Sequence, residues 1–554
     1  MNQHTPLDVL IIGAGPTGTA LAIDLARRGL GIRVVNKSEH AFDGSRAKGV
    51  QPRTLEVLED LGALDAVLAS GSPYPLLGIH AGPLAVPLRM MRNRRPSADV
   101  PYPNTWLIPQ YSTDRALHDR LQQLGHHVEF ATELIELTQT ADLVTAKVAG
   151  PDGIEEITAR YAVGADGGSS TVRKQLGIGF TGSTDEQDRM IIVDAVTTGL
   201  SRDRWHMWPQ LKGRFTGACP LPDSDLFQWM IRLAPDEEPL LDEARLNERI
   251  RSATGNRRIT LSNIQWTSVF RPNIRLAESY GRGRVFIAGD AAHVHPPAGA
   301  QGLNTGIQDA YNLGWKLAQV LAGADPALLD TYEAERRPIA AEVLGLSTKK
   351  YDGIAKLDPS SLKRGKDEQQ LALTYFGSPL APADSGRTKT LRVGDRVPDA
   401  VLTGSDGKHV RLFDVLRGPH FTALAHGSRA ADALDRLEWP ALGARLKRIA
   451  VGAGTERADH VLTDSAGTLG SVHGLTDSAG TLGSVHGLTD SAGTLGSVHG
   501  LTEDTLLLIR PDGYIGHIAT EDHVTSTVAA ARAMTPSAGS RSGSAASPGT
   551  GSVA

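Results

Sequence analysis

Cysteine is almost missing from this chain. Cys219 is the only one in 554 residues, which excludes an intrachain disulfide, a CxxC redox pair and a zinc site built on cysteines. An excess of positive charge is missing too. With 57 Lys and Arg against 62 Asp and Glu, the net charge is −5, so no broad basic field exists for nucleic acid or an acidic membrane surface. The one basic cluster, Arg92–Pro96, is short, ends in proline and reads as a solvated loop. No apolar run approaches the roughly 18 residues that a bilayer span needs. No basic segment or cleavage site precedes the opening "DVLII", and a cytoplasmic protein without a membrane or nucleic-acid partner is expected. Hydrophobic content of 40% and charged content of 21% are ordinary for a globular protein. The length exceeds what one core fills, so two to four domains are expected.

What the chain does have begins at its N-terminus. Val9–Ile12 is a short apolar run, suited to a buried parallel strand. Gly13-Ala14-Gly15-Pro16-Thr17-Gly18 follows at once, a helical pattern opens at Thr19, and a second strand reads over Gly31–Val35. A GxGxxG set between a strand and a helix is the mark of a dinucleotide fold. Its glycines let backbone approach a pyrophosphate, which sits on the helix N-terminus. The position that usually carries an acidic ribose partner is here Asn36, followed by Lys37. Asn can still exchange hydrogen bonds, with a modestly weaker ribose contact. By itself the motif does not separate FAD from NAD(P)H.

Two distant segments do. "YAVGADGGSSTVRKQLG" (Tyr161–Gly177) carries Asp166-Gly167 with Arg173 seven residues on from the Asp. "RVFIAGDAAHVHPPAGAQGLNTGIQDAYNLGWKL" (Arg284–Leu317) carries Gly289-Asp290 between a strand and a helix. In this order the three motifs resemble the class A flavin monooxygenases, whose type member is para-hydroxybenzoate hydroxylase. Further matches lie in Ser45–Gly62, Ile108–Leu117 and Leu328–Pro338. The nearest subgroup is that of aromatic hydroxylases acting on phenols and polyketide-like rings, and the resemblance covers about residues 5–350 and, more weakly, 390–530.

The resemblance implies an α/β fold with an α+β insert. A Rossmann-like FAD-binding domain is expected over 1–75, 103–180 and 276–352. An interleaved β-sheet substrate domain is expected over 76–102 and 181–275, and a helical connection over 353–390. A thioredoxin-like domain lacking CxxC follows over 391–534, as scaffold or as the contact of a homodimer, and a disordered tail over 535–554. The resemblance also implies site residues. Gly13, Gly15 and Gly18 would cradle the FAD pyrophosphate, with Asn36 and Lys37 at the adenosine ribose. Arg46 and Gln110 would lie near the pyrophosphate and ribityl chain, and Asp166 would act structurally at the cofactor edge. Gly289 and Asp290 would meet the ribityl chain, with Pro297 against the flavin. The backbone N–H groups of Gly302, Leu303 and Asn304, opening a helix at Thr305, would face the flavin pyrimidine ring. A helix N-terminus stabilises the anionic edge of a reduced flavin. In that reading the side chains of His293 and His295 pack the turn and are not general bases, and the small residues Pro296–Gly299 leave room for O₂.

The implied activity is FAD-dependent hydroxylation of an aromatic substrate with NAD(P)H and O₂. O₂ adds at flavin C4a, and the hydroperoxide delivers an electrophilic OH in a water-free site. A Baeyer–Villiger or epoxidising outcome, an FAD-dependent dehydrogenase and a ligand-sequestering flavoprotein stay open. Four of the seven Trp and three of the seven Met fall within 181–275, and Met90 and Met91 lie in the other substrate segment. "LFQWMIRL" (Leu226–Leu233) alternates, placing Phe227, Trp229, Ile231 and Leu233 on one face. Trp205, Met207 and Trp229 are the candidate substrate contacts, and His206 the candidate general base, although a lone His is more often structural. No metal site is expected. A 13-residue unit, "LTDSAGTLGSVHG", occurs three times without change from Leu462, Leu475 and Leu488. One copy is expected within the C-terminal fold and two as a loop. The histidines His473, His486 and His499 lie at a spacing with no ligand geometry behind it.

Overall fold

A computed structural model describes residues 5–82, 84–91, 93–296, 300–355, 367–464, 501 and 504–536. The apolar run at the N-terminus forms the strand Leu7–Ile12, at the middle of an eight-stranded sheet. It pairs in parallel with Ile32–Val35 on one side and with Gly153–Gly164 on the other. Val285–Ile287 and Val128–Glu129 extend the parallel set outward. Burial on both faces explains why the central strand reads as a continuous apolar run over Val9–Ile12. The first helix, Pro16–Ala26, starts at the proline of the glycine motif, three residues earlier than its apolar pattern suggests. Pro suits the first helical position because its missing N–H has no intrahelical partner there.

A second sheet of seven strands is antiparallel apart from one pair. Its order is Thr260–Phe270, Met190–Thr198, Leu226–Arg232, Phe215–Pro220, Arg204–Pro209, Leu76–Ala81, Leu84–Leu88. Alternation gives it two different faces. Phe227, Trp229, Ile231 and Leu233 join Trp208 in a cluster with Leu246 and Ile250 of the helix Glu243–Thr254. The opposite face carries Trp205 and Cys219, packed with Tyr74, Met90, Met207 and Met230. That second face is turned toward the first sheet, because Ser45 and Lys48 bond to its Asp194 and Gln228.

The C-terminal third forms a mixed sheet in the order His409–Arg411, Val401–Gly404, His460–Thr463, Leu446–Val451, Phe421–His426, Thr505–Ile509, Ile515–Ala519. Its last two strands make a hairpin that turns at Asp512-Gly513, with Gly513 at φ 76. Two expectations are corrected. The described part of 353–390 is not helical: beyond Ala355 it holds one 3₁₀ turn, Asp367–Gln369, and then isolated bridges. Its Gly377, Pro379, Pro382 and Gly386 prevent a regular helix. The tail boundary moves as well, since Thr535 is buried and Met534 accepts a hydrogen bond from Gln319. The repeats beyond Asp464 up to His499, and the tail beyond Pro536, lie outside the described residues. No helix among the described residues is long and apolar enough to cross a membrane.

Candidate functional site

Two helices bring their N-termini to one cleft. The first, Pro16–Ala26, has Gly15 at its N-cap, and no side chain caps it. The second, Gly302–Leu321, starts at Gly302 rather than Thr305, so the N–H groups of Gly302, Leu303 and Asn304 form its open first turn. They cross closely because small residues face each other. A methyl at Gly306 would lie 2.3 Å from Thr17 Oγ1, and one at Gly289 would lie 2.4 Å from the same atom. Gly13 has φ +105, and a methyl there would strike the Ala165 carbonyl at 2.3 Å. At Gly15, by contrast, a methyl would meet nothing within 4 Å. The motif is therefore tight where strand and helix pack and open where a phosphate needs access.

The other site residues line up along this opening. Asn36 Oδ1 accepts from the Ala14 N–H at 3.4 Å, which ties the end of the second strand to the glycine turn. Lys37 is exposed. Gln110 opens the helix Gln110–Gln123, and its amide accepts from Ala47 N–H and donates to Asp114, each at 3.5 Å. Burial pushes Asp114 up to about 7. Arg46 is exposed, stacks on Phe42 and faces Asp290 closely enough to favour its carboxylate. Asp290 is open to solvent on one side and packed by protein around the rest, as a group on a cleft floor is. That enclosure raises its carboxyl above the usual range, against the pull of His293 and Arg46. Asp166 follows the strand end that packs on the glycine turn, its backbone nitrogen 2.8 Å from where a methyl on Gly13 would lie. Its Oδ2 accepts from Thr171 and Val172 N–H, capping a short helix, and its Oδ1 is buried without a partner.

The stretch after Asp290 works through a relay. Asp309, on the Gly302 helix, accepts from Gly289 N–H at 3.1 Å, from Arg336 Nε at 2.8 Å and from His293 Nε2 at 2.6 Å. Burial opposes its ionisation, but His293 and Arg336 hold its pKa below the usual range. His293 Nδ1 in turn meets His295 Nε2 at 2.9 Å, and burial holds His295 down to about 3. These imidazoles pin the Gly289–Asp290 turn to the helix. Pro297, Ala298 and Gly299 lie outside the described residues. Asn304 turns its side chain inward, donating to Gly49 and Ala300 carbonyls and accepting from Gln51 N–H.

The substrate candidates divide between the two faces of the second sheet. Trp205 and Met207 are on the face turned to the cleft. Trp229 is on the other, fully buried beneath the helix Glu243–Thr254, which removes it as a contact. His206 also points away. It stacks near Trp208, its Nδ1 meets His80 Nε2 and its Nε2 meets the Ser201 carbonyl. Both nitrogens are engaged on the wrong face, so it cannot serve as the base for a ligand on the cleft side. A chain that sequence reading missed runs along the right face: Asp194, Ser45, Gln228, Lys48. The signal was present in "MIIVDAVTT" (Met190–Thr198), where one Asp interrupts a run that is otherwise apolar from Met190 to Val196.

These features fit a dinucleotide: an open glycine turn, two uncapped helix ends, and a carboxylate on the floor between them. Residues 6–347 match the family described as an FAD binding domain. The chain belongs to the class A flavin-dependent monooxygenases. It is 45% identical over 434 residues to a flavin-dependent monooxygenase of Mycobacteroides abscessus, covering 76% of this chain and 89% of that protein. It is 37% identical over 427 residues to the 12-dehydrotetracycline 5-monooxygenase/anhydrotetracycline 6-monooxygenase of Streptomyces rimosus, covering 72% and 82%. Among solved structures, an aklavinone-11 hydroxylase in ternary complex with FAD and aklavinone superposes with a TM-score of 0.74 at 25% identity, covering 96% and 99%. The cofactor of this monooxygenase is FAD. Among its described residues no group of three or more His, Cys, Asp or Glu is placed to hold a metal ion.

Proposed function

We propose that this monooxygenase takes electrons from NAD(P)H and inserts one atom of O₂ into a planar phenolic or polyketide-like aromatic. One observation carries the reading: the two open helix N-termini and Asp290 face the same cleft as the Met- and Trp-lined face of the second sheet. Bound FAD supplies the electron store and the reaction with O₂. The protein's part is placement and exclusion. The N–H groups after Gly15 would take the pyrophosphate, and Asp290 a ribityl hydroxyl, with Arg46 and Gln110 alongside. The N–H groups of Gly302, Leu303 and Asn304 would stabilise negative charge on the flavin's pyrimidine edge. Trp205, Met207 and Met230 would offer an adaptable apolar wall to a flat ring and keep water out. The C-terminal sheet, whose hairpin and helices have no cysteine, would be a thioredoxin-like scaffold without dithiol chemistry. A cytoplasmic setting, where NAD(P)H is regenerated, suits this reading.

The test is a screen of phenolic aromatics with the FAD-loaded enzyme, NADH or NADPH, and ¹⁸O-labelled O₂. Substrate-dependent O₂ uptake with one labelled atom in the product is expected. Substrate oxidation without label would make the chain a dehydrogenase, and binding without O₂ uptake a ligand-sequestering flavoprotein.

A further inference from the structure

The cleft-facing wall of the second sheet holds a hydrogen-bond donor that is left unmatched. Trp205 is 9% exposed, yet its indole N–H has no acceptor among the described residues. A buried indole N–H ordinarily finds one, because leaving it unpaired costs its lost hydration. Elsewhere in this chain it does: Trp229 donates to Thr197 Oγ1, Trp315 to Asp512 and Trp439 to the Ala444 carbonyl, at 2.9, 3.1 and 2.9 Å. Trp106 also lacks an acceptor, but its nitrogen lies 2.4 Å from where a methyl on Gly71 would be, too close to admit one there. Trp205 differs. Its nitrogen lies beside Gly217, where an added methyl would be 3.6 Å from Nε1, 3.4 Å from Met230 Cε and 3.5 Å from the His206 carbonyl oxygen, all ordinary contacts. Gly217 pairs with Met207 on one neighbouring strand and with Met230 on the other. Directly opposite residues share a face, so the N–H stands where the wall has no side chain between two flexible thioethers. The ring itself is fixed, with Tyr74 packed at 6.4 Å and Lys48 Nζ 4.4 Å from its centre.

A donor set among thioethers, which accept hydrogen bonds only weakly, matches a group that accepts and brings no proton. A ketone or quinone oxygen is such a group, whereas a hydroxyl would bring a proton that needs an acceptor of its own. We propose that Trp205 Nε1 donates to a carbonyl oxygen of the substrate, so that this monooxygenase selects flat hydroxyaromatics that also carry a ring ketone or quinone. The inference rests on the aromatic-hydroxylase reading above and narrows the substrate class of that same site. Trp205 then sets specificity and leaves the chemistry to the cofactor. In a dry wall, a donor that stays unmatched penalises every ring without the carbonyl. Met207 and Met230 are the side chains that turn aside to admit the oxygen, as unbranched thioethers do at little cost.

The test compares 2-hydroxyfluorenone with 2-hydroxyfluorene, flat phenols that differ in one carbonyl. The FAD-loaded wild type should bind the ketone about tenfold tighter. The carbonyl stretch of the bound ketone, read by infrared difference spectroscopy, should fall below its value in a dry aprotic solvent, as a hydrogen-bonded carbonyl requires. Trp205→Phe keeps a ring without the N–H. It should erase the preference and return the stretch to the aprotic value, with hydroxyfluorene affinity within about twofold of wild type. Gly217→Ser is the second variant. Its hydroxyl stands one bond beyond a Cβ that the wall has room for, and it can take the N–H for itself, so preference and shift should again be lost. Wild type that binds the two phenols alike, or binds neither, overturns the proposal, and so does a bound ketone whose stretch stays at the aprotic value. Either variant that holds FAD and keeps both preference and shift overturns it as well; where one variant does not load, the other and the wild-type spectrum decide. Labelled oxygen in a hydroxyfluorene product with no preference for the ketone would keep the hydroxylase reading and sink this inference. Preference and shift without O₂ uptake would do the reverse.

Discussion

Asp114 shows how one buried carboxyl shapes the cleft. It lies one helical turn beyond Gln110 and accepts from that amide, while its Oδ1 is buried without a partner. Burial moves its pKa from 3.8 to about 7. A raised folded pKa means the native state favours the proton. The stabilisation is complete below the unfolded value near 4, is lost as pH rises toward 7, and stays lost above it. The full swing is on the order of 4 kcal/mol. Asp114→Asn keeps the shape and the contact to Gln110 without a titrating group. Its melting temperature should match wild type near pH 4 and exceed it increasingly up to pH 7–8. Equal pH profiles for the two proteins would show that Asp114 is not held protonated. The sequence did not reveal this residue, because "STDRAL" reads as an ordinary amphipathic helix start. By contrast, the strand, glycine turn and helix around Gly13 and Gly18 were legible, since a side chain at either would strike neighbouring backbone.

At the scale of elements, strand and helix patterns fixed the parallel core, and period-two alternation separated the two faces of the second sheet. What alternation could not supply was which face meets the cleft. That depends on the helix Glu243–Thr254 covering Trp208 and Trp229, a long-range choice with no local signal; hence Trp229 and His206 were misplaced, and of the four candidates Trp205 and Met207 alone lie on the opposite face. The crossing of the first helix with the Gly302 helix is the element contact that sets the cleft's width. Gly306→Ala would place a methyl 2.3 Å from Thr17 Oγ1 and 3.1 Å from Gly289 Cα. Overpacking of this kind costs about 1–3 kcal/mol, and here the strain falls on the turn that carries Asp290. Gly306→Ala should therefore purify with less FAD and melt earlier. Adding Thr17→Ala should restore part of both, because the two residues share one contact. Full FAD content in the single variant, or a simply additive double variant, would mean the helices are not in contact as described.

For the whole molecule, the question is whether the C-terminal sheet is an appendage. Chains with several sheets often unfold in steps, and a scaffold added late would be expected to melt by itself. The packing argues against this. Phe421, Leu434, Leu446, Leu508 and Met534 belong to the same buried cluster as Leu10, Leu21 and Trp315 of the cofactor domain. Phe421 meets the Trp315 ring edge-on at 5.7 Å. The Gly302 helix is also held by charge: Lys316 and Arg510 both pair with the buried Glu335, at 2.8 and 2.6 Å, and Arg510 pairs with Asp512. Asp512 further accepts from Trp315 Nε1 and Asn312. Pulling the C-terminal sheet away would remove Arg510 and Asp512 from this network. Breaking a buried pair of this kind typically costs about 3–5 kcal/mol, before any exposed apolar surface is counted. The helix that loses this support is the one whose first turn is proposed to face the cofactor. Calorimetry of the full chain should therefore record one cooperative transition, and saturating FAD should move all of it upward, as ligand linkage requires when a single native state binds. Flavin fluorescence should rise at the same temperature, as the cofactor is released. Two transitions, with FAD still bound after the first, would show that the C-terminal sheet melts independently and that the shared core and the Glu335 network do not couple it to the cleft.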